Sequence, residues 1–137
     1  MENSEQLVGI KVARLLKVLG FDWEVTSCYN DNPDLKEDSK IERKNKISQN
    51  YNAFRQLQVI SLPTQSLAQK WLRDKYKINL SVTYSHIMKK HWCLCVEGFG
   101  EIKFYMDSSF GYNSYEEALE KGLEIAIEYI NLHNKQL

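Results

Sequence analysis

The residues of this sequence best suited to metal or thiol chemistry are His91, Cys93 and Cys95, which recur at every second position of the stretch HWCLC. Side chains two residues apart on a β-strand share one face, so the three would form a row of the soft ligands that bind zinc or copper. A tetrahedral site needs a fourth ligand, which Cys28 or His86 would have to supply. A cysteine beside a histidine can also act as a nucleophile. One hypothesis is therefore a small metal- or thiol-dependent enzyme that uses Cys93 and Cys95.

The spacing of these residues also has a simpler interpretation. Neighbours at i and i+2 on a strand lie about 6.5–7 Å apart at Cα, so a compact metal site would need a bend there. The sequence shows no orienting group or oxyanion loop for a nucleophile, and no glycine-rich phosphate loop. Asp31, Asp34 and Asp38 do not have the spacing of a calcium loop. We therefore predict no catalytic residue, no metal and no cofactor.

The charge balance bears on the class of partner. The chain has 137 residues with 18 Lys+Arg and 18 Asp+Glu, so its formal net charge is zero. Nucleic-acid-binding proteins usually carry a basic excess, because neutralising phosphates supplies most of their affinity. Nucleic acid is therefore an unfavoured partner.

The cysteine count and the hydropathy bear on the compartment. Three cysteines are an odd number, and a Cys-x-Cys pair on a strand is poorly placed to close on itself, so we predict a reducing, cytoplasmic environment. The first residues, MENSEQ, are polar and lack the pattern of a secretory signal. The uninterrupted apolar runs are too short to span a membrane. We expect no contact with a membrane.

The elements that position these residues are clearest in the second half of the chain. The pattern predicts a helix over 64–76, strands over 78–84, 92–97 and 101–107, and a helix over 115–133. Ser114 and Glu117 form a capping box that begins the last helix. Short turns make the strands an antiparallel meander. Its one apolar face, on which alternation places Tyr84 and Trp92, must be covered by both helices.

The first half of the chain is less regular. A helix ending at Gly20 is followed by possible strands over 21–29 and 54–60, which we expect to pair as a β-hairpin. The polar stretch 30–50 would form a long loop with at most a short helix around 38–46. The chain is thus predicted to be a single α+β domain in which residues 1–62 extend an α-β-β-β-α core over 63–137.

The long polar loop has two interpretations. It is either a solvated arm or an arm that orders on a protein partner or on a second copy of the chain. The sizeable apolar groups at or near its C-terminal half are Ile41, Ile47 and Tyr51, which would make the contact. In both interpretations residues 30–50 project as a mobile tip.

Three segments resemble a family of short, uncharacterised proteins from Bacteroides-type genomes and their prophages. These are PTQSLAQKWLRDKY at 63–76, SYEEALEKGLEIAIEYI at 114–130 and, more weakly, VARLLKVLGFD at 12–22. The matching residues are core and capping positions. The resemblance implies a bacterial, prophage-associated protein, and it implies no chemistry.

The predicted order α-β-β-β-α also resembles the double-stranded RNA-binding domain, which binds by shape and phosphate contacts. That family carries a histidine in the loop between its first two strands, a place loosely matched here by His86, Lys89, Lys90 and His91. It also carries a basic cluster at the start of its last helix, where this sequence has Glu116 and Glu117. Carboxylates at that place would repel phosphate. Nucleic-acid binding on this plan is an alternative function.

A group of aromatic residues supports the preferred function. Phe99, Phe110, Tyr112 and Tyr115 are predicted to lie in the two turns that follow strands two and three. Exposed together, they would form an apolar patch suited to a partner. Buried together, they would plug the end of the sheet. The patch and the absence of a coherent catalytic set lead us to expect a small non-catalytic interaction or accessory module.

Overall fold

The computed structural model describes residues 5–43, 48–54, 58–87, 90–98 and 105–134, with the backbone alone at 105–110 and 133–134. The fold is α+β, as predicted. In order, the helices and strands are α1 (Ile10–Leu19), β1 (Ser27–Asn30), β2 (Ile41–Arg43), β3 (Val59–Ser61), α2 (Gln65–Tyr76), β4 (Asn79–Tyr84), β5 (Trp92–Glu97), β6 (Tyr105–Tyr112) and α3 (Tyr115–Asn134). Two short 3₁₀ turns lie at Glu37–Ser39 and Tyr51–Ala53.

The chain divides into two compact units. The α2–α3 unit is Met1–Gln6 with Gln65–Leu137, and the α1 unit is Leu7–Thr64. The α1 unit thus ends two residues beyond the predicted boundary after residue 62. Each unit has its own antiparallel three-stranded sheet. Within the described part of the chain, no helix combines the length and the apolar character needed to cross a bilayer.

The α2–α3 unit has the predicted antiparallel meander in the order β4-β5-β6. Its two helices contact each other, and both pack against the sheet. The packed face carries Leu80, Leu94 and Val96, each 3% exposed or less. Helix α3 approaches this face closely at Gly122, where a Cβ atom would lie 2.5 Å from Leu94 Cδ1. Ser114 Oγ accepts a hydrogen bond from Glu117 N at 3.1 Å, as the capping box predicts.

The third strand differs from its predicted range. β6 is Tyr105–Tyr112 rather than 101–107, and residues 101–104 lie outside the described ones. Gly111 lies inside the strand at φ 68°. A Cβ atom there would clash with the Lys90 carbonyl, so the glycine permits the close approach of two backbones. The register shift between Trp92 and Leu94 accommodates the longer strand.

The α1 unit confirms the predicted pairing of the segments that flank the polar stretch, since β1 and β3 are antiparallel neighbours. The stretch itself is not a simple projecting loop, because β2 lies within it and pairs with the other edge of β1. Its alternation is too short to predict a strand from sequence. Helix α1 ends at Gly20, which adopts φ 99° and donates to the Leu16 and Lys17 carbonyls, as predicted.

Asn52 fixes the segment between β2 and β3 of the α1 unit. Its side-chain Nδ2 donates to the Phe21 carbonyl at 3.0 Å, and its Oδ1 accepts from Ser61 N at 2.9 Å. Tyr51, beside it, is only 1% exposed. This burial corrects the prediction that Tyr51 contacts a partner, because its ring belongs to the core of the α1 unit.

Candidate functional site: an aromatic and imidazole surface

The most distinctive surface of the α2–α3 unit lies at one end of its sheet, where β4 ends and β5 begins. Tyr84 is the last residue of β4, Trp92 is the first of β5, and the two are register partners across the strands. Tyr115, the first residue of α3, lies beside Trp92. Together with His86 and His91 these residues form a continuous row of rings, which we call the aromatic ridge.

The three larger rings of the ridge meet edge to face. The Tyr84 and Trp92 centroids are 5.2 Å apart with an interplanar angle of 75°. The Trp92 and Tyr115 centroids are 5.8 Å apart at 87°. Both geometries fall in the range that aromatic pairs prefer, so each ring holds the next in place.

The two histidines pack on Tyr84. The His86 ring meets it at 5.1 Å and 81°, and the His91 ring lies at 5.0 Å with a tilt of 33°. His91 Nδ1 is 2.9 Å from the Ser85 carbonyl oxygen, which can only accept, so Nδ1 is the donor. Ser85 N in turn donates to the His91 carbonyl at 2.7 Å. The turn that carries both histidines is therefore tied together at its base.

The ridge is open to solvent. Tyr84 is 50% exposed and Tyr115 is 39% exposed, and Ile87, three residues after Tyr84 in the chain, is 93% exposed. Trp92 is half-buried beneath them. A cluster that merely plugged the end of the sheet would bury these side chains. Here they present a broad apolar surface with polar tips.

A groove adjoins the ridge at Tyr115. Its volume is ≈ 280 Å³, and its lining consists of Glu5, Gln6, Gln65, Ser66, Tyr115, Glu116 and Leu119. All of these residues belong to the α2–α3 unit. The ring of Tyr115 is thus shared between the ridge and the groove.

The structure places the four predicted aromatic residues differently from one another. Tyr115 belongs to the ridge. Tyr112 is half-buried in β6 and is the register partner of Trp92, and Phe110 lies in the same strand rather than in a turn. Phe99 lies outside the described residues. The predicted turn cluster is therefore corrected, because β6 continues through Phe110 and Tyr112.

Sequence reasoning missed two rings of the ridge. Tyr84 and Trp92 were predicted to face the helices by strict alternation, yet Tyr84 is exposed at the end of its strand. The available signal was their position at the two ends of a short hairpin connection, which makes them cross-strand neighbours.

The three residues predicted to make the contact of the polar arm also differ in where the structure places them. Ile41 lies in β2 and is 45% exposed, so its side chain is accessible. Ile47 lies outside the described residues. With Tyr51 in the core, the structure does not assemble these three side chains into one contact surface.

The surroundings of the Cys95 thiol do not activate it. Cys95 Sγ lies 3.8 Å from Glu97 Oε1. Burial, followed by the nearby Glu97 carboxylate, raises the pKa of the Cys95 thiol, and a hydrogen bond with Ser81 offsets this only in part. A nucleophilic cysteine needs a lowered pKa instead. These surroundings act against the thiol-enzyme hypothesis.

The metal alternative has no support from the described residues, which bring together no group of three His, Cys, Asp or Glu side chains able to hold an ion. Cys93 Sγ points toward the His91 carbonyl at 4.0 Å rather than toward the imidazole. The predicted row of His91, Cys93 and Cys95 therefore does not form a ligand set.

The α2–α3 unit has the element order that the nucleic-acid alternative requires. The described residues at the start of α3, however, do not carry the positive charges that it requires there. Lys90 and His91 are exposed beside the ridge, and Lys89 lies outside the described residues. At the start of α3, however, Glu116 and Glu117 are exposed carboxylates. They would repel a phosphate backbone that approached this end of the unit.

Comparison with protein-family models, with curated proteins and with solved structures finds no match to this chain. The aromatic ridge and the groove beside it must therefore be interpreted through their own chemistry.

Proposed function

We propose that this chain is a non-catalytic interaction module that binds an extended segment of a partner protein on the aromatic ridge. The observation that carries the proposal is the exposure of Tyr84 and Tyr115, whose rings both pack against Trp92 at the end of the sheet.

The chemistry of the ridge suits a protein partner. Tyrosine and tryptophan are enriched at interface hot spots, because each buries a large apolar area and still offers a polar tip. The edge-to-face contacts among Tyr84, Trp92 and Tyr115 already restrict their rings. Little side-chain entropy would then be lost when a partner docks, which favours affinity.

The adjoining charges favour protein over nucleic acid. Glu5 and Glu116 line the groove next to Tyr115, and the formal net charge of the whole chain is zero. Stacking of bases on exposed rings does occur in nucleic-acid-binding proteins, but it accompanies a positively charged groove. Binding of double-stranded RNA, for which the α-β-β-β-α order speaks, is the competing outcome of the test below.

We also propose that the module works in the cytoplasm, since Cys28, Cys93 and Cys95 are all free thiols. The resemblance of the helical segments to proteins of Bacteroides-type genomes and prophages supports a bacterial setting.

The test is selection of peptides from a displayed random library on the full chain, followed by affinity measurements with the enriched peptides. Tyr84→Ser removes an exposed ring, and Leu132→Ser is the matched control, since Leu132 is 64% exposed elsewhere in the same unit. We expect Tyr84→Ser to weaken binding about tenfold or more, as loss of a hot spot does. Leu132→Ser should have no effect.

Two results would overturn the proposal. One is a set of enriched peptides whose affinity is the same for the wild-type chain and for Tyr84→Ser. The other is tighter binding of an RNA duplex of about 16 base pairs, the length that such domains span, than of any selected peptide.

A further inference from the structure

The groove beside the aromatic ridge has features that the ridge lacks. Leu119, only 2% exposed, lies at its base, and the exposed ring of Tyr115 forms one side. Glu5 and Glu116 are among the lining residues, and a hydrogen bond with Ser66 places the Glu5 carboxylate. An apolar floor, an aromatic side and a negatively charged rim therefore occur together in one recess.

The walls of the groove are tied together by hydrogen bonds. Gln65, 4% exposed, donates from Nε2 to the Glu116 carbonyl at 2.9 Å and to Glu120 Oε1 at 3.1 Å, which joins α2 to the first turn of α3. Gln65 N donates to the Gln6 carbonyl at 2.8 Å. Ser66 Oγ donates to Glu5 Oε2 at 3.2 Å, so the Glu5 carboxylate is held at the rim. The recess is thus formed before any ligand arrives.

The local charge of the groove is negative. The N-termini of α2 and α3 each contribute about half a positive charge, which the carboxylates must first offset. Glu5 and Glu116, which line the groove, together carry two negative charges, so about one remains. A cation that enters would meet these charges well within the Debye length of about 8 Å at physiological salt.

From these observations we infer that the groove takes a lysine or arginine side chain of the same partner segment that docks on the ridge. The aliphatic stem would lie on Leu119 and the Tyr115 ring, and the cationic head would lie between Glu5 and Glu116. Long cationic side chains bury their stems in this way while the head stays solvated. The Tyr115 face adds a cation–π contact. This inference rests on the proposed function and names the chemistry of the partner: a basic residue next to aromatic or apolar ones.

The test measures binding of three defined peptides to the full chain by fluorescence anisotropy. In the first, arginines alternate with tryptophans. The second has glutamate in place of each arginine, and the third has serine in place of each tryptophan. We expect the first peptide to bind most tightly, with an affinity that falls as salt is raised.

Variants of the chain assign the effect to the groove. Glu116→Gln should weaken binding of the arginine–tryptophan peptide about two- to fivefold, which is the scale of a partly exposed ion pair. Glu128→Gln, an exposed carboxylate further along α3, is the matched control and should leave the affinity unchanged. The glutamate–tryptophan peptide should bind the Glu116→Gln variant better than it binds the wild-type chain.

The outcomes separate this inference from the proposed function. Equal affinity for the arginine and glutamate peptides, with no effect of Glu116→Gln, would overturn the inference while the aromatic ridge remained the binding surface. Failure of all three peptides to bind would overturn both. If the arginine–serine peptide bound as tightly as the arginine–tryptophan peptide, the groove would stand as the site of the basic residue. The aromatic ridge would be overturned as the binding surface.

Discussion

Each of the two units of this chain is stabilised by a different kind of interaction. The α1 unit has strands of three or four residues, and polar side chains tie its loops to the sheet. Asn52 bonds to the backbone of Phe21 and Ser61, and Lys17 Nζ donates to the Val59 carbonyl at 2.9 Å. The α2–α3 unit has longer strands under two helices, with an apolar layer between them.

This difference shows where side chains are free to serve a partner. In the α2–α3 unit the apolar layer buries residues such as Leu94, whereas Tyr84 and Tyr115 remain exposed. In the α1 unit the aromatic ring of the predicted arm, Tyr51, is used for packing. An aromatic side chain that remains exposed is therefore a better guide to function in this chain than one that packs in the core.

The largest expected effect is on the apolar layer. Trp71 is fully buried on α2 and meets Tyr76 edge to face at 5.5 Å. Trp71→Ala should lower the free energy of unfolding by about 3–5 kcal/mol, because it removes a large core side chain. Urea denaturation followed by circular dichroism measures it. Val18→Ala, at a position 77% exposed, is the control and should change stability by no more than about 0.5 kcal/mol. Equal losses for both variants would contradict the assignment of the core.

A smaller effect is expected from the polar ties of the α1 unit. Asn52→Ala leaves the Phe21 carbonyl and Ser61 N without these side-chain partners, which should cost about 1–3 kcal/mol. Hydrogen exchange of the β3 amides should speed up accordingly. Unchanged exchange at Ser61 would show that the α1 unit depends on its apolar contacts alone.

A substitution on the aromatic ridge should affect binding more than stability, in contrast to Trp71→Ala and Asn52→Ala. Tyr84→Ser should lower the free energy of unfolding by no more than about 1.5 kcal/mol, since Tyr84 is half exposed at a strand end and loses only its contacts with the neighbouring rings. The same variant should lose peptide binding. A stability loss as large as that of Trp71→Ala would mean that the ridge belongs to the core and would remove the reason to assign it a function.

How far the fold was predictable depends on the distance over which each signal acts. Helices α2 and α3, the capping by Ser114 and the strand β5 follow from local periodicity and were predicted closely. The strand β2 was missed, because its three residues are defined by pairing with β1 rather than by their own pattern. The extension of β6 past Gly111 was missed for a related reason, since only the approach of the Lys90 backbone explains that glycine.

The candidate site was predictable only in part. Tyr115 was recognised from composition at the start of a helix. The ridge as a whole depends on cross-strand neighbours such as Tyr84 and Trp92, which lie eight positions apart in the sequence. The groove depends on contacts such as that of Gln65 with Glu116, which join residues 51 positions apart. No local pattern announces such a pair.

The smallest expected effect concerns thiol reactivity. Burial and the Glu97 carboxylate raise the pKa of the Cys95 thiol, so little thiolate is present near pH 7 and alkylation should be slow there. The rate should rise only as the pH approaches the raised pKa. Glu97→Gln removes the negative charge, which should lower that pKa and modestly speed alkylation by iodoacetamide at pH 7–8. Mass spectrometry of the Cys95 peptide measures the rate, and an unchanged rate would show that burial alone sets the pKa.

The most direct test of the central claim is a titration of the isotope-labelled chain with the arginine–tryptophan peptide, followed by nuclear magnetic resonance. If the peptide binds at the aromatic ridge, the shifted signals should be the Trp92 indole N–H and the backbone amides of Ser85, His91 and Tyr115. The amides of the α1 unit, such as that of Asn52, should stay in place. Shifts concentrated in the α1 unit, with the Trp92 indole signal unchanged, would contradict the claim that the aromatic ridge is the binding surface.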